Sequence, residues 1–262
     1  MLRYLRLYLY FLRFSFSRAM EFRFDFFFRI GMDIIWNLFQ ITFFTLLFLK
    51  TGLLGGFDFD QTLVFAGTLF LVDAIQMSVF ANNMWWFPIL INKGDLDYYL
   101  VRPISPLFFL SVRDFAANSF VNLLISIGIL IWALVRYPHP ISLGSFGLYF
   151  GLLAVGIALQ YLVYLAFLLP VFWIHSAGGL KETYFAVSSA ANRPHRIFTG
   201  WARGILVSIL PFAFVVSFPV VALFEPVDGT LILHAAAVLA GAVLVVSFLW
   251  RAGLRAYSSA SS

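Results

Sequence analysis

The sequence predicts an all-α integral membrane protein with six transmembrane helices preceded by an N-terminal amphipathic interfacial helix. Three observations carry that prediction. Of 262 residues, 62% are hydrophobic, 19% aromatic and only 11% charged, where a soluble domain carries about 25% charged residues. Apolar stretches of the ~20 residues that cross the hydrocarbon as a helix recur along the chain. The basic residues behind the formal charge of +5 stand singly at the edges of those stretches, a placement that reads as membrane topology and not as a nucleic-acid footprint. With no Cys in the chain, disulfides and thiolate metal sites are excluded.

Residues 1–24 form the first element. Arg3, Arg6, Tyr10, Arg13 and Ser17 recur every three or four positions, which places them on one stripe of a helix lying in the interface with Arg toward lipid phosphates. Arg13 and Arg18 interrupt any uncharged core, and Glu21, Arg23 and Asp25 follow in place of small residues, against the pattern of a cleaved leader. Residues 25–256 form the transmembrane domain, and 257–262 read as a disordered tail. The spans fall near 26–49, 61–90, 107–135, 143–174, 204–224 and 230–250. With the N-terminus inside, all but Lys50 and Arg136 of the 17 basic residues fall on the interior side, and Asp58, Asp60, Glu225 and Asp228 lie outside. The positive-inside rule then puts both termini and the long connections 91–106 and 175–203 in the cytoplasm, with the chain in the cytoplasmic (inner) membrane. Gly147 and Gly151 make a small-xxx-small pair suited to close helix contact. Pro211 and Pro219 interrupt the fifth span, so the stretch from 204 to 232 reads either as a broken crossing or as a short helix plus a re-entrant piece.

The segment 91–106 carries the most local information. Gly94 ends the second span, Asp95 is placed to cap a short helix whose Leu96, Tyr99 and Leu100 share a face, and Pro103 stops it. Asp97 and Arg102 complete its polar rim. Such a helix suits a groove on another protein, or it is an interfacial loop with its apolar residues among the headgroups. The run from Asn92 to Pro106, with its Gly, acid-flanked Leu, further Leu and Arg-Pro, resembles the way permeases of the type-2 ABC transporter (ABC exporter) family leave their second helix. The later run from Arg193 to Arg203, followed by Pro211 and Pro219, looks like the approach to the fifth helix in a branch of that family. The resemblance covers essentially the whole chain. It implies a permease dimer, either a homodimer or a pair with a sister permease, and a coupling helix at Gly94, Asp95, Leu96, Asp97, Tyr99, Leu100, Arg102 and Pro103. It also implies a separate nucleotide-binding ATPase subunit that binds ATP and Mg.

No phosphate-binding loop is present, because Gly52, Gly55 and Gly56 lack the Lys and the strand-to-helix context that cradles phosphates. His139, His175, His195 and His234 are scattered without ligand spacing, and no Ser and His arrangement suggests a nucleophile. No cofactor and no catalytic residue is therefore expected in this chain.

Polar residues recur inside the spans. Arg29, Asp33, Asn37 and Gln40 share one face of the first, where Arg29 and Asp33 are spaced to pair. Asp73, Gln76 and Asn83 recur in the second, Asn122 and Ser126 in the third, and Gln160 and Tyr164 in the fourth. An acid at the bilayer centre costs about 2.5–3.5 kcal/mol on insertion scales, so Asp73 is expected to face protein or water. The stripes either bond helix to helix or line a pathway. Two functions follow: an ATP-driven exporter permease, or an ion-coupled secondary transporter using Asp33 and Asp73. The latter is expected to show correspondingly broken segments in its two halves, which this sequence lacks.

Overall fold

The computed structural model describes residues 2–21, 23–48, 51–174 and 178–257. Every regular element among them is helical: α1 (Leu2–Glu21), α2 (Arg23–Phe48), α3 (Phe59–Lys93), α4 (Asp97–Leu100), α5 (Pro106–Val112), α6 (Ala117–Arg136), α7 (Leu143–Ile174), α8 (Gly178–Ser188), α9 (Gly200–Gly204), α10 (Ser217–Phe224) and α11 (Gly229–Ala256). Five of them, α2, α3, α6, α7 and α11, are long and apolar enough to cross a membrane. His175 and the residues after Tyr257 lie outside the described set.

Local chemistry sets the ends of these helices. Asp58 starts α3 through a capping box, accepting from the Gln61 N–H at 2.8 Å while Gln61 Oε1 accepts from the Asp58 N–H at 3.1 Å. Gly94 stops α3 in the left-handed region at φ +78°. Its N–H bonds the Ile91 carbonyl and the Asp95 N–H bonds that of Leu90, the paired bonds of a Schellman end that only Gly enters without strain. Ser142 caps α7 through the Ser145 N–H at 3.0 Å. The expected third span at 107–135 is in fact two helices, α5 and α6, separated at residues 113–116.

Close approaches of helix to backbone depend on Gly67 and Gly156, not on the pair the sequence singled out. A Cβ on Gly147 or Gly151 would meet nothing within 4 Å, whereas on Gly67 it would lie 2.9 Å from the Leu130 backbone and on Gly156 2.2 Å from the Phe214 carbonyl. Gly67 thus lets α3 and α6 touch, and Gly156 lets α7 receive the stretch that precedes α10.

That stretch corrects the expected topology. Arg196 donates to Glu225 in a two-pronged pair with one bond of 2.6 Å, and Pro194 and Ile197 press on Gly55 while Arg196 approaches Gly56. Residues 194–197 therefore sit with Asp60, Arg136 and Glu225 at one end of the molecule, called here the Asp60 end. Helix α7 ends at the opposite Lys93 end, where Phe172 packs against Phe87, Trp250 and Tyr257. Residues 178–197 thus run from one end to the other, and 175–203 is not a connection confined to the Lys93 end. Residues 200–224 leave and return to the Asp60 end as a re-entrant hairpin, the alternative that Pro211 and Pro219 raised, and do not cross at 204–224. Arg196, counted inside from the sequence, pairs with Glu225. Tyr257, assigned to the tail, is a packed residue at the Lys93 end.

The hairpin's irregular backbone is bonded locally, Leu210 N–H to the Ile205 carbonyl and Phe214 N–H to the Pro211 carbonyl, and through side chains, with Ser217 Oγ accepting from the His195 N–H at 3.1 Å and His234 Nε2 meeting the Val207 carbonyl at 3.1 Å. Such backbone persists at depth only when protein surrounds it; Phe212, Ala213, Phe214, Val215 and Val216 are all buried.

Because the chain has no Cys, single introduced Cys residues report sidedness directly. A Cys at Thr199 should react with an impermeant reagent from the same side as Cys at Gly52 and Asp228, and from the opposite side to Cys at Lys93; grouping of position 199 with 93 would refute the hairpin. The Arg196 guanidinium, first through its hydrogen bonds, holds the Glu225 carboxyl below its ordinary range. The stabilisation is therefore present above the ordinary carboxylate range and lost as pH falls through the lowered value. Glu225→Gln should lower the melting temperature at neutral pH by the equivalent of about 1 kcal/mol or less, given the partial exposure, and the difference from the parent should vanish in acid.

Candidate functional site

The π-helical stretch of α3 at Gln76–Ala81 wraps five residues per hydrogen-bonded turn and offsets the faces before and after it. It lies directly beyond Asp73. Together with α1, α2, α6, α7 and α8 it lines an open cavity of about 1110 Å³.

Each helix contributes polar groups. From α2 come Asp25, Arg29, Asp33 and Asn37, successive members of one i, i+4 row. Arg29 pairs with Asp25 at 2.7 Å rather than with Asp33 as expected. Asn37 donates to Asn122 Oδ1 at 3.0 Å, tying α2 to α6. From α3 come Asp73 and Gln76, from α7 Gln160 and Tyr164, and from α8 Tyr184 and Ser188. The Tyr164 and Tyr184 rings stack with centroids 4.2 Å apart, which joins α8 to α7. Trp36, Phe70 and Trp85 supply aromatic wall.

Several of these groups are buried without a hydrogen-bond partner in the chain: both amide atoms of Gln76, Oε1 of Gln160, and the hydroxyls of Tyr164 and Tyr184. The Tyr164 hydroxyl approaches Trp85, and that of Tyr184 approaches Gln160 and Ser188, but none of these meets hydrogen-bond geometry. A buried polar group without a partner loses about 1–3 kcal/mol, so this concentration on one wall marks a place that water or a ligand must fill.

Four residues of the predicted polar face, Asp33, Asn37, Asp73 and Gln76, line the cavity together, whereas Gln40 and Asn83 do not. Asn83 has a different task. Its Nδ2 donates to the Val79 and Asp114 carbonyls at 2.9 and 2.7 Å, and its Oδ1 accepts from the Asp114 N–H at 2.9 Å. Ser15 of α1 accepts from the Phe115 N–H at 3.1 Å, and the Ser78 carbonyl in the π-helical stretch accepts from the Ala116 N–H at 3.0 Å. The α5–α6 break is thereby clasped to α1 and α3. The residues the sequence reading missed, Tyr184, Ser188 and Asn192, lie in the segment placed in a connection; Asn118, four positions before Asn122, carried a readable signal.

The segment after Gly94 lies at the Lys93 end, and its expected apolar face is split. Leu96 is fully buried and Tyr99 nearly so, with Tyr99 against Phe109 at 5.4 Å and accepting a hydrogen bond from Arg113. Both point into this chain and not outward: Phe109 of α5 and Arg113 just beyond it cover Tyr99, and Leu96 belongs to the main buried cluster. Leu100 remains partly exposed, and the outward apolar groups are Tyr98 at 63% and Val101 at 81% exposure. Arg102 stacks on Tyr98 with its guanidinium carbon 4.3 Å from the ring centre. Asp95 is exposed, and no side chain caps α4, whose N-cap position is Leu96. Pro103 follows the helix end at the surface.

Among known proteins, the family described as ABC-2 family transporter protein matches residues 34–261. No curated protein and no solved structure matches the chain.

Asn83→Leu removes three hydrogen bonds at the clasp and should destabilise the protein by about 1–3 kcal/mol, whereas Asp73→Asn, which relieves a buried charge, should leave the melting temperature unchanged or raised. Thermal unfolding of both variants in one detergent gives the comparison; equal losses would mean that Asp73 is held by structural partners.

Proposed function

Since the chain belongs to the ABC-2 transporter family, matched over residues 34–261, we propose that it is the membrane-spanning permease subunit of an ATP-binding cassette exporter. Membership of that family implies an ATP-binding partner subunit. In this reading the partner is a separate polypeptide that binds ATP and Mg, the Lys93 end and both termini are cytoplasmic, the membrane is the cytoplasmic (inner) one, and two permeases work together. The observation that carries the reading to a site is the polar cavity lined by α1, α2, α3, α6, α7 and α8.

The ATPase docks on the exposed patch of Tyr98, Leu100 and Val101, with Asp95 and Arg102 at its rim. Behind that patch lies a continuous set of contacts. Tyr99 meets Arg113, and the next three residues are held by Asn83, Ser78 and Ser15. A push on α4 thus reaches the π-helical stretch of α3 and the Gln76 wall of the cavity through packed and hydrogen-bonded groups, the kind of rigid connection that moves helices as bodies. The ion-coupled alternative also uses Asp33 and Asp73, which share the cavity; the family match favours the ATP-driven reading.

Val101→Asp puts a charge on the most exposed part of the patch without touching the buried Leu96 and Tyr99. The variant should run as a monodisperse permease yet recover at least ~tenfold less phosphate-loop ATPase in a pull-down from co-expressing cells, because a charge forced into an apolar contact is poorly tolerated. Undiminished recovery together with undiminished coupled ATPase activity would sink the proposed docking surface.

A further inference from the structure

The geometry points to an organic cation with an aromatic or apolar body as the class of molecule that the cavity accepts. This rests on reading the cavity as the transport pathway, and it adds the identity of what passes.

Charge is the first argument. Asp25, Asp33 and Asp73 line the cavity, and among the described lining residues Arg29 is the only Lys or Arg. Arg29 pairs with Asp25 at 2.7 Å and also acts on Asp33 one turn away, so three carboxyl groups stand against one guanidinium. An anion entering this space would meet like charge from two helices at low dielectric, whereas a cation would be stabilised by both.

Unpartnered polar atoms are the second, independent argument. Gln76 is 6% exposed and Tyr184 only 2%, and neither side chain finds a hydrogen-bond partner in the chain. Amide oxygen and hydroxyl groups accept N–H donors, and both line the same cavity as Asp73. Aromatic groups supply the third. The stacked Tyr164–Tyr184 pair and the walls from Trp36 and Trp85 present π faces that attract a cation and cover an apolar body.

An inorganic cation fits less well. Among the described residues no three of His, Asp and Glu converge to hold a metal ion, and about 1110 Å³ is the scale of a pocket for a drug-sized molecule.

Tetraphenylphosphonium and tetraphenylborate have nearly the same size and four-phenyl shape with opposite charge, so they separate the charge argument from simple greasiness. Equilibrium dialysis of each labelled ion against the purified full-length chain, corrected for uptake by empty micelles, should show saturable binding of the phosphonium and none of the borate. Asp73→Asn should weaken phosphonium binding by about tenfold or more, and Asp33→Asn serves as a second, independent variant should the first fold poorly. Glu182→Gln, an exposed acid outside the cavity lining, should stay within about twofold, well inside what one kcal/mol represents. Equal saturable binding of both ions, no saturable phosphonium binding, or full affinity in both Asp variants would overturn the proposal. Inside-out vesicles containing permease and ATPase separate this failure from that of the pathway reading. Charge-dependent binding without ATP-driven accumulation, also unaffected by the cavity-filling Ser188→Trp, keeps the cation site and removes the pathway. Transport of another solute that Ser188→Trp blocks, with no phosphonium binding, keeps the pathway and removes the cation.

Discussion

The backbone break between α5 and α6 is held by hydrogen bonds from two separate elements, α1 and α3, and the rest of the molecule is arranged around it. A chain that leaves helical geometry near the hydrocarbon exposes N–H and C=O groups that lipid cannot satisfy. Here Asn83 meets Asp114 through both its amide atoms, Ser15 takes the Phe115 N–H, and the Ser78 carbonyl takes that of Ala116. Ser78 belongs to the π-helical stretch, a register in which a carbonyl is freed for an outside partner. One local irregularity in α3 therefore satisfies another beside α6. The same clasp fixes α1 to the bundle, where Phe16 of α1 packs on Phe115 and Phe120. Helix α1 is thus a docked element as well as an amphipathic one.

Above this clasp the inside of the bundle changes from apolar to polar. Residues Leu63 to Val72 of α3 are buried almost without interruption, and then Asp73 and Gln76 open onto the cavity. Placing an acid there costs about 2.5–3.5 kcal/mol on insertion scales, and the unpartnered amide of Gln76 adds to it. No hydrogen bond within the chain offsets the Gln76 cost. Stability alone gives no reason for these side chains, whereas a site that must hold a polar guest does. Structural polar residues look different: Thr68 bonds Tyr149 at 2.9 Å and Ser111 bonds Tyr161 at 2.6 Å, each satisfied helix to helix.

Much of this was legible in the sequence, for identifiable reasons. Long apolar runs gave α2, α3, α7 and α11 to within a few residues, and Gly94 marked a helix end because a left-handed stop has few alternatives to Gly. The i, i+4 row of α2 and the Asp73–Gln76 pair were visible as periodicity. What failed was inference about which surface a residue sees. Residues 178–197 carry Glu182, Ser188, Ser189 and Asn192, and hydropathy cannot tell a helix polar toward a cavity from a connection polar toward water. Residues 204–224 are apolar enough to span, but their two prolines and the Arg196–Glu225 pair turn them back. That pair also shows why charge counting misplaced Arg196: its carboxylate partner is 29 positions away. Leu96 and Tyr99 failed for a related reason. Four helical residues define an apolar face but not whether α5 or another protein covers it.

Burial around the cavity is uneven, and this bears on how it opens. The wall on α3 is embedded in the main apolar cluster, which also holds Tyr164, Tyr184 and Phe212, so moving it would disturb close packing across the bundle. The wall on α2 is different. Only Phe26, Asn37 and Phe44 of its residues are buried, with Phe44 in a small separate cluster alongside Ala66 and Phe70, and Phe27, Ile35 and Phe39, none of them a cavity-lining residue, are exposed. The Asn37–Asn122 hydrogen bond, the Phe48–Phe59 ring contact and that cluster hold it against α3 and α6. A neutral side-chain hydrogen bond is worth about 0.5–1.5 kcal/mol net, and apolar groups that are already exposed on this chain lose little when the helix shifts. The two walls of one cavity therefore differ in stiffness: α3 is fixed by the clasp and the core, and α2 is the side on which the space can change shape at least cost.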